Sequence, residues 1–149
     1  MGSELRIIEV VSPDGVVTSL EWLARAESVH RQLRPHLPVN YVERMQRVLS
    51  GARMALAAED NEVLGLAVYR WYENTFDGLK FYVDDLVTTE TQRSRGVGKA
   101  LVGHLEKVAR GLGAAGMALD SGTHRTQAHK FYFREGFVIN SFNFKKSFI

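Results

Sequence analysis

Residues 92–101 read Gln-Arg-Ser-Arg-Gly-Val-Gly-Lys-Ala-Leu, two glycines among three cations where an apolar strand pattern gives way to a helical stripe. Glycine lets backbone N–H groups come close to a ligand. A helix start leaves N–H donors unsatisfied and carries the positive end of the helix dipole. With the charges of Arg93, Arg95 and Lys99, this segment suits an anion such as a pyrophosphate. It is neither of two familiar phosphate motifs. A P-loop would want glycine at Arg93 and Ser or Thr at Ala100, and a dinucleotide fingerprint would want glycine at Leu101.

Two adjacent acids, Asp84 and Asp85, stand in the strand before this loop, and Tyr132 lies in a later helical stretch. Acids and a phenol are general acid–base groups. Alternation along a strand places Asp84 and Asp85 on opposite faces, so only one of them faces a substrate. The chain has no cysteine, which removes disulfides, thiolate metal sites and a cysteine nucleophile together. His104 falls on the apolar stripe of a helix and reads as structural. Asp120-Ser121 ends a strand and reads as loop-ordering, while His36 sits in a loop between Pro35 and Pro38. His124 and His129 have no third ligand at zinc spacing, and no metal is expected.

The stretch Ala128-His-Lys-Phe-Tyr132-Phe-Arg-Glu-Gly136-Phe137 has the form A-x-x-x-Y-x-x-x-G-F, and Arg93-x-x-Gly96-x-Gly98 precedes it by about thirty residues. Together, with the strand Val83–Val87 ahead of them, these motifs resemble the GNAT superfamily of acetyl-CoA-dependent N-acetyltransferases. The resemblance is firm over residues 79–139 and also touches the sugar-phosphate N-acetyltransferase branch, where an acid stands at the position of Asp84. It implies a single acetyltransferase domain over residues 1–149. The implied fold is a mixed, mostly antiparallel sheet with helices on both faces and two splayed parallel central strands.

The resemblance also implies site roles. The backbone of Leu86, Val87 and Thr88 would pair with the pantetheine arm of acetyl-CoA. The amides of Ser94, Arg95, Gly96, Val97, Gly98 and Lys99 would hold the pyrophosphate, with Arg93 and Arg95 neutralising phosphates. Tyr132 would protonate the departing sulfur, and Asp84 would act as base. The family often carries asparagine at the position of Arg125, so this chain departs from the pattern there. Direct transfer to a small amine or amino sugar is the implied reaction. Acetylation of a protein lysine or N-terminus, and a CoA-sensing module without turnover, are the alternatives.

The elements that must position these groups follow from periodicity. Strands are expected at Leu5–Val11, Arg53–Glu59, Glu62–Tyr72, Leu79–Thr89, Gly116–Ser121, Phe137–Ser141 and Asn143–Phe148. Helices are expected from Thr18 or Ser19 to Leu33, then Tyr41–Leu49, Val97–Leu112 and Arg125–Glu135. This order predicts an α/β sandwich on a mixed sheet. Trp22, Tyr41, Trp71, Tyr72 and Tyr82 are the aromatic candidates for an acceptor pocket.

The 149 residues fit one compact domain, and 45% hydrophobic with 24% charged residues is ordinary for a globular chain. A net charge of +2 gives no reason to expect nucleic acid. No run of eighteen apolar residues suggests a membrane span, and the first residues lack a signal-peptide pattern. The expectation is therefore a cytoplasmic enzyme, with no membrane partner and with a homodimer compatible with it.

Overall fold

The computed structural model describes residues 4–92 and 95–149. These residues divide into two compact units, 1–118 and 119–149.

The first unit is built on a meander. Strands β1 (Arg6–Glu9), β2 (Arg53–Glu59), β3 (Glu62–Asn74) and β4 (Gly78–Thr88) pair antiparallel in succession. The β2–β3 turn is tight at Asp60, which takes a positive φ of 53°, a conformation aspartate tolerates better than most residues. The short strand β5 (Met117–Leu119) completes a five-stranded sheet in the order β1-β2-β3-β4-β5. Helix α4 (Val97–Gly111) lies between β4 and β5 in the chain. The fold is thus a mixed α/β type with a mostly antiparallel sheet.

Alternation along β3 assigns the two faces. Leu66 and Val68 join the core cluster with Leu23, Val29, Tyr41 and Met45, from helices α1 (Leu20–Arg25), α2 (Glu27–Leu33) and α3 (Tyr41–Val48). Gly65 faces the other way, toward α4. A Cβ built on Gly65 would lie 2.8 Å from Val97 Cγ1 and 2.9 Å from the Val87 carbonyl oxygen. Only glycine lets the first turn of α4 settle this closely on the sheet. Helix α4 buries Val97, Leu101, Val102, Leu105 and Ala109 as one stripe. His104 and Tyr69 pin it further, both reaching Glu9 Oε1 of β1, at 2.6 and 2.7 Å. His104 is structural, as its place on the stripe suggested.

The helix expected up to Leu33 is two helices. At Ala26 the amide bonds Leu23 O, three residues back, at 3.1 Å, a tighter turn that separates α1 from α2. Strand β5 is shorter than expected. The two strands expected at Phe137–Ser141 and Asn143–Phe148 are not strands. In the second unit, helix α5 (Thr126–Arg134) ends where the Phe137 amide bonds Tyr132 O at 3.0 Å, and the chain beyond has no ladder. Phe142, Phe144 and Phe148 are exposed there. Strand preference is a preference for a pleated, half-buried surface, and apolar alternation without a pairing partner does not make a strand.

Candidate active site

The β3–β4 ladder carries a bulge at the acids. Val68 pairs with Asp85, and the next residue, Tyr69, pairs with Val83. Asp84 is the extra residue, with no partner across β3. A bulge sets two residues of one strand against one of the other and interrupts strict alternation.

The expectation that Asp84 and Asp85 face opposite ways is therefore corrected. Asp85 lies on the Val68 face, under α2. Its Oδ2 is 2.7 Å from His30 Nε2, and its Oδ1 accepts from Arg34 Nε and Nη2 at 2.9 and 2.6 Å. Asp84 binds Arg70 Nε through Oδ2 at 2.6 Å. Arg70 is two residues from Val68 and so shares its face. Both acids lie on the face covered by α2. They differ in engagement, with side chains 14% exposed for Asp85 and 30% for Asp84.

Asp85 is a half-buried anchor. Burial alone would raise its carboxyl pKa, but the hydrogen bonds and charges of His30 and Arg34 outweigh that and hold it below the usual range. A carboxylate only accepts, so His30 Nε2 carries the proton toward it. The Tyr41 hydroxyl lies 2.8 Å from the other ring nitrogen, Nδ1. His30 and Tyr41 are almost fully buried. This chain of Tyr41, His30, Asp85 and Arg34 was missed by sequence reasoning. Its members are up to 55 residues apart, and a lone histidine at helical spacing gives no signal of its partner.

Tyr41 is consequently a core residue and leaves the list of pocket aromatics. Trp71 leaves it too, because it stacks on Phe81 and Tyr69, on the face opposite Arg70. Trp22 is flanked by the guanidiniums of Arg6 and Arg25. Tyr72 and Tyr82 remain. Tyr82 pairs with Arg70 across the ladder, Tyr72 pairs with Lys80, and Lys80 Nζ lies 5.3 Å from the Tyr82 ring centre. Beyond the reach of the core, this face of β3–β4 presents Arg70, Tyr72, Lys80, Tyr82 and Asp84 together.

Past Asp85, Leu86, Val87 and Thr88 pair with Ala67, Leu66 and Gly65 of β3. On the other edge of β4, among the described residues, stands the three-residue β5. Gln32 of α2 then holds the start of the loop. Its amide donates to Thr89 Oγ1 at 3.1 Å, and its oxygen accepts from the Glu90 amide at 3.0 Å.

After the short turn Glu90–Gln92, Arg93 and Ser94 lie outside the described residues. Arg95 binds the Gln92 side chain and lies 3.8 Å from Glu59. Gly96 is the N-cap of α4 with φ 83°, the left-handed region that glycine enters freely. As glycine it gives no side-chain cap, and no acid stands in the first turn. A helix start of this kind, with amides at Val97 and Gly98, suits an anion. These residues fit a CoA pyrophosphate on two observations, the uncapped helix start and the glycine that brings it close to the sheet.

In the second unit Arg125 is the N-cap of α5, and Tyr132 is its one buried residue. The Tyr132 ring meets Phe131 and Phe137 edge-on, with ring centres 5.7 and 5.6 Å away. Burial raises its phenol above the ordinary tyrosine value, and the Arg125 guanidinium beside it pulls the other way. Arg125 thus brings a positive charge beside the phenol, which an asparagine at this position would not. His129 Nε2 lies 2.8 Å from Gly122 O, and Asp120 accepts from Asn143 at 2.7 Å, so both order their own loops.

The first unit thus holds the meander and a glycine-capped α4 beside a bulged acid-bearing strand, and the second holds the tyrosine helix. The Acetyltransferase (GNAT) family pattern matches residues 18–137. The chain belongs to the GNAT acetyltransferase family, and it is an N-acetyltransferase that uses acetyl-CoA as cosubstrate. It is 31% identical over 134 residues to the uncharacterized N-acetyltransferase YhdJ of Bacillus subtilis (strain 168), covering 87% of this chain and 94% of that protein. Its fold matches that of aminoglycoside N-acetyltransferase AAC(6')-Iy in complex with CoA, at a TM-score of 0.82 and 18% identity, over 100% of this chain and 98% of the other. It also matches ribosomal-protein-alanine N-acetyltransferase from Brucella melitensis biovar Abortus 2308, at a TM-score of 0.79 and 15% identity, over 97% and 99%. Among the described residues no helix is long and apolar enough to cross a membrane.

Proposed function

We propose that residues 1–149 act as one acetyltransferase domain that moves acetyl from acetyl-CoA directly to a primary amine of a small molecule, an amino sugar among them. The observation that carries this reading is Asp84, a part-exposed carboxylate at a bulge, on one face with Tyr72 and Tyr82. A carboxylate with aromatic rings further along the same face suits an ammonium group.

An amine attacks a thioester only when uncharged, and a free alkylamine has a pKa near ~10.4. Asp84 takes the proton, directly or through a water. Arg70 must yield part of its hold when the amine arrives. A part-exposed ion pair is worth only ~0–1 kcal/mol, so this costs little. The amine nitrogen then bonds to the acetyl carbon, the carbon–sulfur bond breaks, and the CoA sulfur leaves with the bonding pair. Tyr132 gives that sulfur its proton, the second amine proton leaves the new amide nitrogen through water to the tyrosinate, and a raised phenol pKa keeps the proton available at neutral pH. The amides of Leu86, Val87 and Thr88 serve the pantetheine arm, and those of Arg95 to Lys99, with the Arg93–Ser94 segment, serve the pyrophosphate. Arg125 stands beside the phenol as a further cofactor-side cation.

A panel of small amines, amino sugars and peptides, followed by CoA thiol release, tests the reading. Turnover of small amines is expected. Turnover of peptides alone would replace the small-molecule acceptor with a protein one. Tight acetyl-CoA binding without turnover of any amine would make the chain a CoA-sensing module.

A further inference from the structure

The bulge leaves Asp84 without a rung in the β3–β4 ladder. A backbone carbonyl that loses its ladder partner needs another. Arg34, at the C-terminal end of α2, supplies it: Nη2 donates to Asp84 O at 3.2 Å while Nε and Nη2 hold Asp85 Oδ1. One planar guanidinium therefore spans both bulge residues. His30 takes the other carboxylate oxygen of Asp85, and Tyr41 locks His30 from behind. The segment is held from α2, across 50 residues of sequence, in place of the strand pairing it lacks. Lysine offers a single ammonium on a flexible stem and lacks that fork.

We propose that Arg34 is a positioning residue for acetyl transfer, holding the bulged backbone so that the Asp84 carboxylate keeps its aim at the acceptor amine. This rests on the reading of Asp84 as the base. Arg34 itself is 42% exposed at its side chain, so small solutes can reach its place.

The test measures kcat, both KM values and melting temperature for Arg34→Ala, Arg34→Lys, Asp84→Asn and the double variant Arg34→Ala/Asp84→Asn. It uses acetyl-CoA and the best amine of the panel. A misplaced catalytic group costs up to ~10²-fold, so Arg34→Ala should lower kcat ~10- to 10²-fold with KM for acetyl-CoA nearly unchanged. Arg34→Lys should fall almost as far although the charge is kept. Millimolar guanidinium ion should restore part of kcat in Arg34→Ala and none in Arg34→Lys. In the Asp84→Asn background, Arg34→Ala should cost little more, since both act through one group.

Unchanged kcat in Arg34→Ala, or in Arg34→Lys if the alanine variant fails to fold, would overturn the proposal. So would a raised amine KM at unchanged kcat, which would make Arg34 a direct acceptor contact. Full additivity with Asp84→Asn would also overturn it. A silent Asp84→Asn would instead remove the base assignment itself, so the two failures are told apart.

Discussion

Around the start of α4 the candidate binding groups are main-chain amides, set by Gly96 at positive φ and by Gly65 beneath. Along the α2 face of β4 they are side chains, Arg70 on Asp84 and the set of Arg34, His30 and Tyr41 around Asp85. A backbone site needs small residues at set spacings within one segment, and in the proposed reading it serves the anionic cofactor. A side-chain site draws on distant segments, and in the proposed reading it serves the acceptor. Damage to the first should therefore appear as lost cofactor affinity, and damage to the second as lost turnover or stability.

The largest effect should come from Tyr132→Phe, which tests the proton donor apart from both regions. Loss of acid catalysis costs ~10² to 10⁴ in rate. The ring stays, so melting temperature should move little. Burial raises the phenol above its ordinary value of 10.0, so the wild-type rate should hold to about pH 10 and decline only above it. Turnover within about twofold of wild type, with chemistry rate-limiting, would leave Tyr132 a packing residue.

Gly98→Glu should abolish the rise in melting temperature that acetyl-CoA causes by mass action. It sets a carboxylate at the start of α4, where the pyrophosphate is proposed to bind. A thermal shift equal to wild type would break the comparison, because the backbone region would then not be the cofactor site.

The two acids sharpen it from the other side. Asp84→Asn should lower turnover with acetyl-CoA affinity kept, and more free amine at pH 9 than at pH 7 should restore part of the rate. Asp85→Asn should act on stability, ~1.5–3 kcal/mol for hydrogen bonds to a charged group. The sign follows from its lowered pKa. The stabilisation is present above the ordinary aspartate value near ~3.9 and is lost as pH falls through the lower folded value. Urea unfolding between about pH 2 and 5 should show a flatter acid limb in Asp85→Asn. Equal acid limbs in variant and wild type would remove Asp85 as the anchor.

The smallest effect is Gly65→Ala. Its methyl would meet a backbone oxygen that cannot yield, so overpacking should cost ~1–3 kcal/mol. Some loss of CoA affinity should accompany it as the first turn of α4 lifts from the sheet. Wild-type stability and affinity would show that the close approach is not needed.

Much of this chain was open to reading from residues alone. The periods of Arg53–Glu59, Glu62–Tyr72, Leu79–Thr89 and Val97–Leu112 each announce an element within a few residues of its place, because each buries a continuous stripe against a partner. The loop and the tyrosine helix are legible for a related reason: close backbone approach demands glycine at given positions, and that demand is written locally. Three things were decided only by tertiary structure. The bulge at Asp84 depends on how β3 and β4 pair, which no single strand records, and it turned two acids expected on opposite faces onto one. The burial of Tyr41 behind His30 depends on α2 and α3 closing over the sheet, so an aromatic that looked free for a pocket became core. The apolar alternation after Phe137 met no strand to pair with and stayed irregular. In each case the deciding interaction joins residues far apart in the chain, and local pattern carries no information about which distant group will arrive.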